Sequence, residues 1–382
     1  MSRIGHKVFV GMSGGVDSSV AAHLLKEQGY NVVGVFMKCY NIDGCAEADA
    51  EDARRVAEHI GIPFYVWNFE QEYKDRVVQY MIEGYRAGIT PNPDVMCNRE
   101  IKFGLFLEKA LASGADFVAT GHYVRLKAVK AEVPEAKSQA SQKSQNVIYK
   151  LYEASDPNKD QSYFLWTLGQ HQLAHCLFPI GGYKKPEVRE IARRAGLPTA
   201  EKKDSQGICF LGKFSLDDFL KQYIPERRGA LMTTAGEKIG EHSGAEFYTI
   251  GQRHIDADFA FPKTGPTGGA GAARKPLYVA SKDSTTNTVV LAEGSDDPAL
   301  YREDVALAQM NFISATAPRA GERLSVRSRV RYRQPLSEAA LSRLGDGNCR
   351  LEFAVPQKFV AQGQSAVFYG ADGEMLGGGV IM

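Results

Sequence analysis

Alternation of apolar strands with amphipathic helices in the first two hundred residues is the feature that most restricts the fold. Four segments are typical of strands, the first of them buried: HKVFVG, YNVVGVFMK, FYVWNF and ADFVATGH. Segments with apolar residues at helical spacing separate them. Because helices lie between the strands, we expect neighbouring strands to run parallel, with helices on both faces of one sheet. Such α/β sheets bind ligands at the carboxyl ends of their strands.

The second half of the chain has a different pattern. After about Phe214, short strands, turns and glycines replace the alternation, which is typical of small barrels and sandwiches. We predict three domains: an α/β domain over residues 1–213, a small β-rich domain over 214–290 and a C-terminal β-barrel over 291–382. The polar segment Lys130–Asn146 is expected to be a flexible excursion within the first domain.

Composition excludes several classes of protein. Of the 382 residues, 44% are hydrophobic and 24% are charged, as in soluble globular proteins. The apolar runs are too short for a signal peptide or a membrane span, so we expect a cytoplasmic protein without a membrane partner. Six cysteines with no C-x-x-C pair argue against a disulfide framework and against a zinc site.

A glycine-rich loop follows the first strand. The segment consists of Gly11, Met12, Ser13, Gly14, Gly15, Val16, Asp17 and Ser18. Its glycines allow backbone amides to approach an anion, and the helix starting near Ser18 points its positive end to the same place. The loop lacks the lysine of the Walker pattern. Asp17 is compatible both with holding Mg²⁺ and with capping the helix.

The pattern S-G-G-x-D-S at a strand-to-helix turn resembles the pyrophosphatase loop (PP-loop) of the ATP pyrophosphatase superfamily. Members of that superfamily hold the pyrophosphate of ATP and cleave between the α- and β-phosphates, so a lysine for the γ-phosphate is not expected. The resemblance implies ATP as cofactor, with Mg²⁺ entering alongside it and no stably bound metal. Met37 and Gly121, each at the end of a strand, are further candidates for the ATP site. A core methionine and a plain turn are the alternatives.

Two cysteines are candidates for reactive groups. Cys97 lies in TPNPDVMCN just before a predicted helix, and Cys209 lies in KKDSQGICF close to Lys202 and Lys203. A helix N-terminus and nearby cations both lower the pKa of a thiol. The alternative is a pair of buried, inert cysteines.

Arginines recur every second residue in RLSVRSRVRYRQ. A strand here would place four guanidiniums on one face, those of Arg327, Arg329, Arg331 and Arg333. Such a stripe suits contacts with RNA phosphates. The alternative is a solvated barrel face whose charge is balanced by acids elsewhere.

Seven phrases occur in the order expected of one family: GMSGGVDSSV, TPNPDVMCN, ATGHY, KDQSYFL, KKDSQGICF, RYRQ and GQSAVFY. Over nearly its whole length the chain resembles the tRNA-specific 2-thiouridylases (MnmA/TrmU type). The resemblance implies a PP-loop (adenine nucleotide alpha hydrolase-like) catalytic domain, a central tRNA-binding domain and a C-terminal β-barrel. Two features depart from the family pattern: the stretch KSQASQKSQN, and Gln362 where a proline is expected.

The implied activity is ATP-dependent 2-thiolation of the wobble uridine in tRNA of the lysine, glutamate or glutamine type, through adenylation of the C2 oxygen. A sulfur donor protein is the second implied partner. Cys209 would carry the sulfur as a persulfide, and Cys97 would release that sulfur or resolve the persulfide through a transient disulfide, although the two roles are open to exchange. Asn92, Pro93 and Asp94 would contact the target base, with Asp94 as general acid or base. The residues expected at the tRNA interface are His122, Lys159, Asp160, Gln161, Arg331, Tyr332 and Gln364.

Two other functions fit part of the sequence. A PP-loop ligase that adenylates a small molecule shares the loop but gives no reason for the cysteine phrases or the arginines. A non-catalytic RNA-binding protein has no need of an intact S-G-G-x-D-S. An iron–sulfur thiolase is disfavoured because its cluster needs grouped cysteines.

Overall fold

The computed structural model describes residues 5–40, 46–130, 147–204, 214–259, 275–314 and 317–382. The strands up to residue 177 are β1 (Lys7–Gly11), β2 (Asn31–Lys38), β3 (Phe64–Asn68), β4 (Phe117–Thr120), β5 (Arg125–Lys130), β6 (Val147–Tyr152) and β7 (Cys176–Leu177). The α-helices are α1 (Val16–Glu27), α2 (Ala46–Ile60), α3 (Glu70–Tyr73), α4 (Gln79–Arg86), α5 (Pro93–Cys97), α6 (Phe106–Ala112), α7 (Gln170–Leu173), α8 (Lys185–Arg194) and α9 (Leu216–Lys221). Two π-helical segments, Lys74–Val78 and Asn98–Leu105, join α3 to α4 and α5 to α6.

A parallel sheet of order β3-β2-β1-β4-β7 forms the first domain. Phe9 of β1 lies opposite Val33 of β2 and Val118 of β4. Val8 and Val10 pack with α1, α2 and α8, whereas Phe9 packs with α4, α5 and α6, because successive strand residues point to opposite faces. The predicted parallel sheet with helices on both faces is confirmed. The strand order reverses at β1, so the loop after β1 lies at the crevice where such sheets bind ligands.

The rest of the chain forms two β structures. Their strands are β8 (Gly229–Thr233), β9 (Lys238–His242), β10 (Asp258–Phe259), β11 (Leu277–Asp283), β12 (Thr288–Glu293), β13 (Tyr301–Phe312), β14 (Arg323–Arg329), β15 (Ser337–Arg343), β16 (Cys349–Lys358), β17 (Ser365–Tyr369) and β18 (Glu374–Ile381). The central sheet has the order β10-β9-β8-β12-β11. The last six of these strands follow the order β13-β16-β15-β14-β17-β18, and β18 pairs again with β13. This pairing closes an antiparallel barrel, so the predicted central β-rich domain and C-terminal barrel are confirmed.

Strands β5 and β6 leave the parallel sheet and join the barrel. They form an antiparallel hairpin around residues 131–146, which hold nearly all of the predicted excursion Lys130–Asn146 and lie outside the described residues. β6 pairs with β18, with Tyr152 opposite Glu374, and Lys150 Nζ donates a hydrogen bond to the Glu374 carboxylate at 2.7 Å. The first domain is therefore joined to the barrel by a shared sheet, which the sequence did not predict.

Candidate active site

The loop between β1 and α1 depends on glycine. Gly14 has a φ of +73°, and a Cβ there would lie 2.3 Å from the backbone oxygen of Asp49, so a side chain does not fit. Ser18 Oγ accepts a hydrogen bond from the Ser13 N–H at 3.1 Å and donates one to the Gly15 oxygen at 3.1 Å. Helix α1 begins at Val16 without a side-chain cap. Since the first amides of a helix lack intrahelical partners, this end of α1 suits an anion such as phosphate.

Met37 and Gly121 both lie beside this loop. A Cβ on Gly11 would lie 3.0 Å from Met37 Cε, and a Cβ on Gly121 would lie 2.6 Å from the Ser18 nitrogen. Gly121 therefore packs its backbone directly on the first turn of α1. The structure brings together both strand-end residues that the sequence predicted for this site.

Asp17 takes part in a network of ion pairs and does not cap α1. Its carboxylate accepts hydrogen bonds from the Tyr123 hydroxyl at 2.7 Å and from Lys185 Nζ at 2.8 and 2.9 Å. Lys185 Nζ also lies 2.8 Å from Asp204 Oδ1, and Lys159 Nζ lies 2.6 Å from Asp204 Oδ2. Partial burial alone would raise the pKa of Asp204, but the hydrogen bonds from the two lysines outweigh it and lower that pKa to about 2. The charged side chains beside the loop are therefore held in fixed positions by ion pairs with one another.

Helix α5 carries the residues predicted for the target base. Asn92 caps the helix, since its Oδ1 accepts a hydrogen bond from the backbone N–H three residues later at 3.2 Å, and Pro93 lies in the first turn. Burial raises the pKa of the Asp94 carboxyl, and the charge of Lys102 opposes that shift. Cys97 is the last residue of α5 and is buried. The prediction that Cys97 precedes its helix is therefore wrong, because the cap and the proline start the helix earlier.

His122 connects the end of β4 with the chain that follows Cys97. Its Nδ1 lies 2.7 Å from Thr120 Oγ1, and its ring centroid lies 5.8 Å from that of Phe103 in the segment Asn98–Leu105. Burial lowers the pKa of His122 well below its ordinary value, and the charge of Lys102 adds to this effect. His122 is therefore a neutral imidazole at physiological pH.

Cys209 lies outside the described residues, so its surroundings stay a prediction. The described chain before it ends at Asp204, the partner of Lys159 and Lys185. Lys202, one of the two lysines near Cys209 in sequence, lies 2.7 Å from both Asp49 Oδ1 and Asp52 Oδ2. Its charge is therefore engaged by carboxylates of α2.

Comparison with known proteins gives one consistent result over the whole chain. Residues 6–213 match the profile of a tRNA methyl transferase HUP domain, residues 217–293 that of a tRNA methyl transferase PRC-barrel domain, and residues 302–381 that of an aminomethyltransferase beta-barrel domain. A tRNA-specific 2-thiouridylase of Geobacillus thermodenitrificans is 45% identical over 380 residues, which cover 98% of this chain and 94% of the relative. The chain belongs to the tRNA-specific 2-thiouridylase family.

A second thiouridylase, of Idiomarina loihiensis, is 44% identical and covers 100% of this chain and 97% of its own. Among solved structures, a 4-thiouridine synthetase–RNA complex with bound ATP is a distant neighbour, with 17% identity and a TM-score of 0.33 over 58% of this chain and 50% of that one.

Three of the residues predicted for the tRNA interface form hydrogen bonds within the protein. Asp160 is buried, and its Oδ1 accepts a hydrogen bond from the Ala154 N–H at 3.0 Å. Gln161 Oε1 accepts one from a main-chain N–H at 3.0 Å. Gln364 Nε2 lies 3.1 Å from the backbone oxygens of both residues 90 and 91. Gln364 of the barrel thus holds the chain that leads into α5.

The predicted stripe of four arginines on one strand face is wrong. Strand β14 ends at Arg329, whose buried guanidinium lies 2.6 Å from Glu153 and 3.5 Å from Asp160. A hydrogen bond of 3.2 Å from the N–H of residue 334 to the Arg331 oxygen closes a turn, and Arg333 has a φ of +64°. The chain turns immediately after β14, so the period-two spacing does not continue as a strand.

In this thiouridylase, the part of the chain that the structure describes contains no group of three or more His, Cys, Asp or Glu side chains placed to hold a metal ion. Mg²⁺ bound with a nucleotide needs only one or two carboxylates, since phosphates and water supply its other ligands. Asp17, in the first turn beside the loop, fits that need. Within the same residues, no helix is both long enough and apolar enough to cross a membrane.

The sequence did not point to Lys185, Tyr123 or Asp204 as residues of this site. Lys185 alone carries a local signal, because it precedes the proline that starts a predicted helix. That signal locates a helix start and says nothing about the loop 168 residues earlier.

Proposed function

We propose that the protein catalyses ATP-dependent 2-thiolation of the wobble uridine in tRNA, with conversion of ATP to AMP and pyrophosphate. Identity of 45% over 98% of the chain with a curated thiouridylase is the observation that carries the proposal. In the first step, the C2 oxygen of uridine attacks the α-phosphorus and pyrophosphate leaves. The adenylated oxygen then departs as AMP, a far better leaving group than the oxygen alone.

Sulfur reaches the base through covalent catalysis. The terminal sulfur of a Cys209 persulfide forms a bond to C2, and AMP leaves with the electron pair of the C2–O bond. The Cys97 thiolate then attacks Cys209 Sγ, the sulfur–sulfur bond breaks toward the base, and 2-thiouridine is released from a Cys97–Cys209 disulfide. A thiol reductant reopens the disulfide, and a sulfur donor protein reloads the cysteine. If Cys97 carried the persulfide and Cys209 resolved it, the same bonds would form and break with the two cysteines interchanged.

The first turn of α5 is proposed to hold the target base through Asn92, Pro93 and Asp94. The raised pKa of Asp94 supports a role in proton transfer, since it makes this carboxylate a stronger base than an ordinary aspartate. Asp94 accepts the N3 proton of uridine as the C2 oxygen attacks. Cys97 lies on the same short helix, one turn later, which supports its role next to the base.

The proposed site for ATP and Mg²⁺ is the loop from Gly11 to Ser18 with Met37 and Gly121. The proposed tRNA contacts are His122, Lys159, Asp160, Gln161, Arg331, Tyr332 and Gln364. The Tyr332 ring lies 4.4 Å from that of Phe164, so an aromatic pair is available beside Arg331. Sequence-specific recognition of RNA usually targets unpaired bases. The wobble uridine in the anticodon loop of lysine, glutamate or glutamine tRNA is such a base, and we place the reaction in the cytoplasm.

One reaction tests the proposal. It contains the purified protein, unmodified lysine tRNA, Mg-ATP, and a cysteine desulfurase with cysteine as the source of persulfide sulfur, and its RNA is separated on a mercury-containing gel that retards thiolated RNA. We expect retardation that needs ATP and disappears when the wobble uridine is replaced by cytidine. AMP formation without tRNA and without retarded RNA would contradict the proposal and favour a ligase for a small molecule.

The two cysteines are tested in the same assay, with a cysteine desulfurase and cysteine as the sulfur source. Cys97→Ser and Cys209→Ser should each abolish thiolation, because each removes one thiolate of the transfer. Cys39→Ser is the control, since Cys39 is a partly exposed cysteine directly after β2 and the substitution should leave activity unchanged. Filter binding should show tRNA affinity within about twofold of wild type for all three variants. Retained thiolation by Cys97→Ser or Cys209→Ser would contradict the role of that cysteine.

A further inference from the structure

A lysine from a distant part of the chain reaches the glycine loop. Lys185 is the first residue of α8 and lies 168 residues after Asp17. Its Nζ lies 2.8 and 2.9 Å from the two carboxylate oxygens of Asp17, and 2.8 Å from Asp204 Oδ1. The side chain is 11% exposed. The ammonium, which has three N–H donors, is therefore surrounded by three carboxylate oxygens beside the first turn of α1.

The backbone around Lys185 is fixed. Its N–H donates a hydrogen bond to Asp156 Oδ2 at 2.9 Å, and the following proline restricts the first turn of α8. Val188 and Ala192 of the same helix are fully buried in the core that α8 shares with α1. The ammonium is therefore delivered to the loop by a rigid element.

We infer that Lys185 binds the pyrophosphate part of ATP and so supplies the cation that the PP-loop itself lacks. The inference rests on the proposed use of ATP and goes beyond it by naming a binding residue outside the loop. The residues from Ser13 to Ser18 offer amides and hydroxyls to a phosphate but no positive side chain. The triphosphate of ATP stays negatively charged with one Mg²⁺ bound, and a cationic side chain forms strong hydrogen bonds with such phosphate oxygens.

Lys185 has two carboxylate partners, those of Asp17 and Asp204, so it can give up one and keep the other. Asp204 is shared with Lys159 and Arg189, whereas Lys185 is the cation that pairs with Asp17. If Asp17 became a ligand of the Mg²⁺ that accompanies ATP, Lys185 would keep Asp204 as partner and could donate its freed N–H groups to phosphate oxygens. A buried ammonium is thereby never left without a negative partner, which would be costly. Asp17 and Asp204 are positioning residues for Lys185 in this account.

The inference predicts a difference between two nucleotides. AMP has neither the β- nor the γ-phosphate, so Lys185 contributes to ATP affinity and not to AMP affinity. Isothermal titration of the full-length protein with each nucleotide and Mg²⁺ measures this difference. Lys185→Gln should weaken ATP binding by about tenfold or more and AMP binding by less than about twofold. Lys185→Arg keeps the charge and should restore most of the ATP affinity.

Lys202→Gln is the matched control. Lys202 is also a partly buried lysine between two carboxylates, those of Asp49 and Asp52, and the backbone of Asp49 abuts Gly14 of the loop. Loss of an ion pair near the loop is thus common to both variants, while only Lys185 is expected to contact phosphate. Lys202→Gln should change neither affinity by more than about twofold.

A measurement on the wild-type protein covers the case in which Lys185→Gln does not fold. Acetylation of individual lysines by an N-hydroxysuccinimide ester, followed by mass spectrometry, should show that ATP protects Lys185 and that AMP does not. Equal weakening of ATP and AMP, an unchanged ATP affinity, or no selective protection would each overturn the inference. If the wild-type protein does not bind ATP at all, the proposed function fails, and the inference fails with it.

Discussion

Gly14 decides whether the nucleotide loop can form. Its φ of +73° places it in the left-handed region, and a Cβ would meet the Asp49 oxygen at 2.3 Å. Gly14→Ala therefore adds backbone strain of about 1 kcal/mol and also displaces the loop, because a peptide oxygen cannot rotate away as a side chain can. We expect a lower denaturant midpoint and at least about tenfold weaker ATP binding.

Gly114→Ala separates the two effects. Gly114 has a φ of +80°, yet nothing lies within 4 Å of the position of its Cβ. This variant should show the strain alone, with a lower midpoint and wild-type ATP affinity. Equal ATP affinities in Gly14→Ala and Gly114→Ala would contradict the role of close packing at Gly14.

Residues near the loop could be predicted where a short stretch of sequence indicated them. Gly14 belongs to a recognisable pattern, and Met37 and Gly121 stand at strand ends that the sequence showed clearly. Lys185 and Tyr123 were not predictable, because their contacts with Asp17 span 168 and 106 residues. Such contacts depend on how α8 and the end of β4 pack against α1, and a single lysine or tyrosine carries no spacing signal.

Among the elements, strands bounded by turns were predicted well and the arginine repeat was not. β1 to β4 appear where apolar runs end at turn residues. The period-two spacing of the arginines predicted one strand that continues past Arg329. In the structure the strand ends at Arg329, whose guanidinium is buried against Glu153, 176 residues away in sequence. A pairing of that kind, which uses one arginine as a core ion, is invisible in a local pattern.

The two ends of β14 allow a matched test of this core ion pair. The Arg329 side chain is 7% exposed and pairs with Glu153 and the buried Asp160, whereas that of Arg323 is 62% exposed and pairs with Glu352. Arg329→Met leaves a buried carboxylate without its cation, so we expect the free energy of unfolding to fall by about 3–5 kcal/mol. Arg323→Met should cost less than about 1 kcal/mol. Chemical denaturation measures both, and similar midpoints would show that the Arg329 pairs do not hold the barrel to the first domain.

In the whole molecule, the C-terminal barrel fixes the entrance to α5. The Thr90 N–H donates a hydrogen bond to the Gln362 backbone oxygen at 2.8 Å, and Gln364 holds the backbone oxygens of residues 90 and 91. The family's expected proline at position 362 would offer the same carbonyl oxygen, so the departure at Gln362 leaves this contact intact. The chain that carries Asn92 and Cys97 is therefore positioned by contacts with residues up to 274 positions later in the sequence. The domain boundaries at 213/214 and 290/291 stay predictions.

A cavity of about 250 Å³ lies where the three parts of the chain meet, and a lysine lines it. Its lining includes Thr90 of the first domain, Ile250 and Lys282 of the central domain, and Arg302 and Val360 of the barrel. Lys282 Nζ donates a hydrogen bond to a backbone oxygen, that of residue 248, at 2.6 Å. Burial lowers the pKa of Lys282 to about 8, although the charge of Glu246 opposes the shift. The folded molecule therefore holds this ammonium at a cost in stability.

That cost predicts how stability changes with pH. Because the pKa of Lys282 is about 8 in the folded protein and 10.5 ordinarily, the unfolded chain binds more protons between these values, and the contribution of Lys282 to the free energy of unfolding rises with pH. Below pH 8 both states are charged and the contribution is constant. Lys282→Met removes the titration, so the stability of the wild type relative to the variant should rise by up to about 3 kcal/mol between pH 7.5 and 10.5. Urea denaturation at several pH values measures this. Lys238→Met, at a lysine of the same sheet whose side chain is 56% exposed, should show a constant difference, and a constant difference for Lys282→Met would mean that its ammonium is solvated in the folded protein.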